Sequence, residues 1–534
     1  MNKTLLCTVF LPLVLNAQDD YKGRVGINTT TPQATLDISK VEVSPTMPAD
    51  KAQGVLFPKL TTEERLTFSP NTKKGTLIYN KDKNCIEMYR GFINNEHEWA
   101  CINDASVFAN PYAPTTATLG TVQDVKLVVF KYNSKDYLVQ GSNIMETGIA
   151  AGAEITVNIP YSDALPIDGA YTAYEQTLAL KDGSGYMRNF KLSYPAGHFT
   201  GSSGTIQAKL KNVSGATYYP ALDPEDGIYR NAISSADAYT ISLNGGSTTT
   251  LKVQTITGVP DRCYDKTTLD CVGYGANEKE HNFVYLPITG PDGRVWFSNN
   301  LGADYAKVGS PWFDPTYQAG ALNYINTTSA VPLSNPTADQ IKKDWRAYGS
   351  LFQWQRNPDG HELINWYSSG SGVPKYNIRT TTLSSSWTNP GHNNFIVGNV
   401  SSNFSWVTNT LNIDTANKNL WQSGQSNNPC PAGYHVPTND EQIALHNAIT
   451  GQNLGNSFSS SSAMWNEQVL RLPASGIRFA NNAIIFLGGF YNRLWSSEPS
   501  NSYSSRNLWF NEGNSYAGGS FSRANGFSVR CLKD

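Results

Sequence analysis

The sequence predicts a multidomain, mainly β protein: a small N-terminal β unit, a central β-sandwich and a C-terminal α+β domain. Three observations predict it. The chain has 534 residues, too many for one ordinary domain of about 150. Short runs that alternate apolar with polar residues, separated by Gly, Pro, Asn and Asp, fill most of its length. Helical signals with caps occur in only a few short places.

Composition narrows the function classes. Apolar residues make 39% and aromatics 11%, enough for several cores, whereas charged residues make only 16%. Lys and Arg (41) nearly balance Asp and Glu (43), for a formal charge of −2. No broad basic field exists, so nucleic acid is not an expected partner.

Residues 1–17 read as a secretory signal, with Lys3 in a short cationic head, an apolar stretch from Thr4 to Leu15, and Ala17 before polar sequence. That stretch is too short for a bilayer, which needs about 20 residues, and no later segment qualifies. An exported protein without a transmembrane segment is expected, at the outer cell surface or extracellular. Cys7 lies in the signal. The remaining cysteines, 85, 101, 263, 271, 430 and 531, permit fifteen connectivities. Their distribution suggests Cys85–Cys101, Cys263–Cys271 and Cys430–Cys531, pairs that an oxidising compartment would preserve. Closely spaced zinc clusters are absent from the sequence.

The first unit, residues 18–104, has short extended runs broken by Gly and Pro within Gly23–Ile38, with alternation at Thr35–Ile38 that favours a strand, then Gly75–Asn80 and Cys85–Tyr89, with Trp99 beyond. Thr61 and Glu64 have capping-box spacing, which predicts a helical turn. A β-meander with a stapled hairpin results, too small to be robust alone. In residues 105–256, strands are expected at 125–132, 155–159, 205–210 and 249–253. Turns fall at Asp182-Gly183, at 223–227 and at Asn244-Gly245-Gly246. Two packed antiparallel sheets satisfy this pattern. In residues 257–534, Thr337 with Gln340 and Thr438 with Glu441 mark two helix starts, and Gly451 stops the second. Ser459–Ser462 reads as a surface loop, and Phe527–Arg530 as a half-buried strand entering Cys531.

Several stretches of this last region carry a family pattern: Gly293–Leu301, Tyr348–Trp354, Cys430–Thr438, Leu472–Arg478, Leu494–Glu498 and Gly526–Cys531. In order and spacing they resemble the Fibrobacter succinogenes major domain family of secreted and surface proteins. The resemblance covers roughly residues 260–534 and implies a C-type-lectin-like, formylglycine-generating-enzyme-like fold, with its first and last cysteines stapling the domain. It also implies that Trp296, Trp354 and Trp495, inside the motifs, are core. The first 104 residues are similar to segments of Bacteroidota surface proteins, through Val25–Asn28 and Leu60–Arg65, and to trimerising fibre shaft repeats of phage tails.

For chemistry, the sequence holds no HExxH, no GxSxG and no Gly-rich phosphate loop. His435 and His446 lack metal-site spacing, and His361 and Glu362 follow the turn Asn357–Gly360 and are expected to be solvated. The formylglycine-generating relatives use an active cysteine pair, whereas the cysteines here are spaced as staples. No catalytic residue and no cofactor is assigned. Ligand-binding candidates are aromatic and amide side chains in expected loops: Trp366, Tyr367, Trp387, Trp406, Trp421, Trp465 and Trp509, with Asn393, Asn394 and Asn501. Calcium is a secondary ligand, with Glu498, Asp223 and Asp226 as candidate oxygen donors. Asp414-Thr415-Ala416 is similar to the O-glycosylation signal of exported Bacteroidota proteins, which implies Thr415 as acceptor. The expected function is recognition or adhesion, binding a glycan or protein through loops of a disulfide-clamped, lectin-like head. The alternatives are a structural subunit of a surface fibre, pilus or sheath, as a trimer or filament, and an enzyme of unknown type on the formylglycine-generating-enzyme-like fold.

Overall fold

A computed structural model of the chain describes residues 25–27, 36–38 and 56–534, apart from 94, 103–114, 147, 223, 234–237, 326–331, 399–404 and 409–418. The signal segment, Asp223 and Thr415 lie outside the described residues. The protein is multidomain and mostly β, with several distinct sheets and a C-terminal α+β region. Two compact units divide it, Met1–Ala113 and Pro114–Asp534.

In the first unit a four-stranded sheet runs Lys59–Leu60, Leu77–Asn80, Cys85–Ile93, Glu96–Cys101. Its core is three side chains, Ile78, Tyr89 and Trp99, flanked by Leu60 and Phe68. So little apolar burial is marginal, and the Cys85–Cys101 disulfide joins the ends of the hairpin. The Thr61–Glu64 exchange forms in both directions, Thr61 N–H to Oε2 at 2.7 Å and Glu64 N–H to Oγ1 at 3.0 Å. It opens the 3-10 turn Glu64–Thr67. Beneath that turn the buried Glu87 carboxylate takes Arg65 at 2.6 Å and Asn80 at 2.9 Å. Separately, Val25–Ile27 pairs in parallel with Leu36–Ile38.

The second unit begins with two five-stranded sheets. One contains Tyr174–Lys181, Met187–Tyr194, Gly204–Asn212, Glu154–Leu165 and Thr116–Leu119. The other contains Asn143–Met145, Lys135–Gln140, Val125–Tyr132, Val253–Thr257 and Arg230–Asn231. Inward residues of both, among them Leu127, Val129, Ile159, Phe190, Leu210 and Val253, share one apolar core. The expected strand 249–253 is corrected. The chain breaks at Lys252: Thr248–Leu251 closes a hairpin on Tyr239–Ser242, while Val253–Thr257 runs parallel to Val125–Tyr132. The sheets are therefore not wholly antiparallel. Asn244 and Gly245, both at positive φ (49° and 72°), make the turn of this hairpin, which the Gly246 N–H closes on the Leu243 carbonyl at 2.9 Å.

Val125–Tyr132 also explains why this region and the C-terminal one form a single unit. Its continuous apolar run is buried on both faces. Val125, Leu127 and Val129 enter the shared core, while Val128 and Phe130 pack with Tyr264, Val284, Leu286 and Phe313 of the C-terminal region.

In that region both expected capping boxes form, starting Ala338–Lys343 and Asn439–Thr450, and Gly451 closes the second helix at φ 68°. The short helix Thr268–Val272, which the sequence reading missed, carries Cys271 and is tied by it to Cys263. Cys430 and Cys531 are bonded, and beside them Tyr434–His435 pairs antiparallel with Leu532–Lys533. The segment into Cys531 is not half-buried, because Ser528 and Arg530 are inside as well. Arg530 donates from Nε to Asn300 Oδ1 at 2.9 Å and from Nη1 to the Phe297 carbonyl at 2.8 Å, which meets part of this buried cation's need for acceptors, while Nη2 has none among the described residues. Nor is 459–462 wholly loop: Ser459 is buried and paired with Ser515. No helix among the described residues is long and apolar enough to cross a membrane.

Candidate functional site

Five of the tryptophans expected in binding loops are core. Trp366, Trp387, Trp406, Trp421 and Trp465 are all buried. Their segments read as loops because they lack periodicity, yet they fold over aromatic clusters. Trp387 packs edge-on to Trp354 and Trp406 at 5.8 and 5.2 Å. The indole N–H groups of Trp366 and Trp406 end on the carbonyls of Gly349 (2.7 Å) and Trp354 (2.8 Å). Trp296, Trp354 and Trp495 are core as expected. Asn394 uses its carbonyl to accept Arg356 at 2.9 Å, and its neighbour Asn393 is half-buried. Asn501 is exposed, but its Oδ1 takes the N–H groups of Tyr503 and Ser504 and shapes a turn. Tyr367 is 56% exposed on a two-stranded hairpin. Of the calcium candidates, Glu498 accepts the Asn439 N–H at 3.0 Å, at the start of the second helix, and Asp226 pairs with Lys533 at 2.7 Å.

His361 and Glu362 are not solvated either. With Asp359 they form a fully buried cluster whose donor atoms lie within 4.8 Å of one another, a spacing that suits a cation. Each of those atoms is already engaged. His361 Nε2 accepts the Gln353 N–H at 3.0 Å, which leaves the proton on Nδ1, 2.8 Å from Asp359 Oδ1 and 3.2 Å from Glu362 Oε2. Asp359 Oδ2 takes Arg356 at 2.7 Å and Tyr274 at 3.1 Å, while Glu362 Oε1 meets His281 Nε2 at 2.8 Å. Burial disfavours the charged Glu362, yet the His281 and His361 hydrogen bonds override it and hold the carboxyl well below its ordinary range. Burial likewise opposes a charged His281, and Glu362 nevertheless raises it. This arrangement is a neutralised brace holding the 353–362 segment. The six paired cysteines offer no thiolate.

Trp509, the one expected loop tryptophan that is not buried, leads to a surface site. It lies on the four-stranded sheet Phe458–Ser459, Ser515–Ser522, Ser504–Phe510, Asn492–Pro499. One face of this sheet buries Leu494, Leu508, Phe510 and Ala517 against Leu445 of the second helix. On the other face Phe458 stands opposite Tyr516, Tyr516 opposite Trp509, and Trp509 opposite Arg493. Residues directly opposite in a sheet share a face, so these four make one row across it. Phe458 is 50% exposed, and its ring is 5.9 Å from Trp509, with Tyr491 6.3 Å away on the other side. Phe490, 63% exposed, follows just before Tyr491 in the chain. The Arg493 guanidinium lies 5.7 Å from the Trp509 ring and 4.3 Å from Phe521.

Gly518 and Gly519 make room for the rings. A Cβ at Gly518 would come within 2.9 Å of the Tyr516 ring, and one at Gly519 within 2.9 Å of Trp509 Cδ1. Strand glycine here permits close approach of an aromatic side chain to backbone. Phe521 then forms the edge of a cleft of about 360 Å³, lined also by Phe479, Asn481, Ser504, Ser520 and Asn525. Rings beside amides and hydroxyls can stack on a sugar or grip an apolar side chain while hydrogen-bonding its polar edge. Phe458, Tyr516 and Arg493 were missed in the sequence. The available signal was Tyr516 followed by two glycines inside a strand pattern, which marks a ring lying over backbone.

Residues 26–118 match a family described as a phage tail like trimerisation region. Neither the curated proteins nor the solved structures hold a match to this chain.

Proposed function

We propose that this is an exported, non-enzymatic recognition or adhesion protein that binds a glycan or protein partner through the aromatic row Phe458–Tyr516–Trp509. The row carries the reading: Phe458 is half-exposed and Tyr516 and Trp509 are partly buried beside it, on one face of a sheet whose other face is packed, so the rings are held rigid before any ligand arrives. The three disulfides are consistent with an oxidising, extracellular setting. The Fibrobacter major domain resemblance of residues 260–534, with its C-type-lectin-like fold, agrees with a recognition head, and the paired sheets before it with a β-sandwich spacer. The trimerisation match supports an oligomeric stalk, and three linked heads would raise avidity without any new contact.

The test is binding of the purified full chain to a glycan array and to intact cells, alongside Trp509→Ala. We expect at least a tenfold loss of binding with an unchanged melting temperature. Retention by Trp509→Ala of all the binding the parent shows would sink the aromatic site. The trimerisation match also favours a second reading, a structural fibre subunit. Filaments forming from protein that binds neither glycan nor cells would select it. Glu498 and Asp226 are occupied by protein partners, so chelation is expected to leave binding unchanged.

A further inference from the structure

A second cleft, of about 740 Å³, opens elsewhere in the Pro114–Asp534 unit, between the paired central sheets and the C-terminal region. Residues of the strands Val125–Tyr132 and Glu154–Leu165 line one side, and Asp314 to Gln318 with Arg471 line the other. Its size is that of a small-ligand site, and its lining is unusual in charge. Two cations face it with no ion-pair partner among the described residues. The Lys126 ammonium lies over the Tyr229 ring at 5.0 Å. Arg471 spends only Nε, on the Gln468 carbonyl at 3.2 Å, and its terminal N–H groups have no acceptor among the described residues. Burial and the Arg471 charge both push Lys126 toward its neutral form, against the pull of Asp314 and Asp124.

Arg471 also stands at φ 48°, a left-handed backbone that a side chain disfavours. It is held there by Glu467, whose carboxylate takes the N–H groups of Leu470 at 2.8 Å and Arg471 at 3.0 Å. A strained backbone that places in a cleft a guanidinium whose terminal N–H groups have no acceptor among the described residues is a common sign of a functional position. On the same side as Arg471, Asp314 spends Oδ1 on Thr316, and its Oδ2 has no hydrogen-bond donor among the described residues. Gln140 and Asn158 add amides with no partner among the described residues.

We propose that this cleft binds a carboxylate-bearing saccharide, with Lys126 and Arg471 on the carboxylate and Asp314, Gln140 and Asn158 on the hydroxyls. The mixed lining selects this class. A carboxylate satisfies the cations, while Asp124 and Asp314 would disfavour a group that carries two charges at one point, such as a phosphate, and hydroxyl donors satisfy the acceptor oxygens. The amides and hydroxyls suit a sugar better than a peptide, which needs apolar pockets for its side chains.

The experiment is calorimetric titration of the full chain with tetragalacturonate, sialyllactose, neutral galactotetraose, sodium sulfate and a tetraglutamate peptide. The variants are Arg471→Gly and Lys126→Gln. Glycine suits the left-handed backbone, so Arg471→Gly is expected to keep or raise the melting temperature while removing the cation. Binding of tetragalacturonate or sialyllactose, weakened at least tenfold by each variant and by added salt, supports the proposal, and the two sugars distinguish a uronate from a sialate source. Equal binding of galactotetraose overturns it, as does no binding of either acidic sugar. Sulfate or tetraglutamate binding with the same Arg471 dependence overturns the saccharide assignment. The site is independent of the aromatic row: Trp509→Ala is expected to leave this titration unchanged, so the two readings fail separately.

Discussion

The N-terminal sheet and the C-terminal region are both stapled by a disulfide, yet the staples do different work. The N-terminal sheet has three core side chains and one buried carboxylate held by Arg65, Lys83 and Asn80. The C-terminal region has several aromatic cores, a fully buried brace of acids, histidines and arginines, and two capped helices. In the small sheet the covalent bond substitutes for a core. In the large region it fixes the last strand onto a core built mostly from other side chains. The free energy of a crosslink therefore does not predict how much structure depends on it.

The largest expected effect is from Cys430→Ser with Cys531→Ser. These residues lie 101 apart in sequence, and chain entropy assigns such a loop about 4.7 kcal/mol. The melting temperature of the second unit should fall, with hydrogen exchange rising chiefly around Tyr434–His435 and Leu532–Lys533 while the aromatic cores stay protected. Global unfolding would show that the two staples are alike after all.

Glu362→Gln follows at about 3–5 kcal/mol, because it leaves His281 and His361 buried beside a neutral amide. The same pair makes stability depend on pH on both sides. Glu362 is lowered from 4.5, so its contribution is present above that value and lost as acid protonates the folded carboxyl. His281 is raised from 6.5, so its contribution is complete below that value and lost as pH rises through its folded value. Urea midpoints should thus peak between 4.5 and 6.5 for this pair. His281→Gln should flatten the alkaline side, and an unchanged alkaline side would refute the pairing.

Cys85→Ser with Cys101→Ser comes third. The separation of 16 residues corresponds to roughly 3 kcal/mol. Although smaller in free energy, the loss should exceed what the three-residue core can bear. Exchange protection over 77–101 should vanish while the second unit stays intact, and a sheet that survives would contradict the comparison. The smallest effect is Thr438→Ala, about 1 kcal/mol, since it removes the cap that receives Glu441 N–H but leaves Leu445 packed. A melting curve of the full chain reads it.

Much of this was legible locally. Capping boxes at Thr337 and Thr438, the Gly451 stop, the Asn244-Gly245 turn and the capping exchange at Thr61 depend on neighbours a few residues away, and each forms as the pattern implied. The candidate site was legible only at Trp509. Its partners Phe458, Tyr516 and Arg493 lie on three other strands and are brought beside it by strand register. The loop tryptophans misled for the converse reason: a segment without periodicity can still lie over a core, and Trp387, Trp406 and Trp421 do.

The sequence by itself determined where the two longer helices start and where the marked turns fall, because those outcomes follow from short-range hydrogen bonding and backbone freedom. The tertiary structure decided which rings are buried and which remain at the surface. It also decided that Lys252 divides two strands, and that His361 and Glu362 meet His281 in the interior. Burial is a property of distant segments arriving at the same place, and pairwise proximity of that kind leaves no periodic mark along the chain.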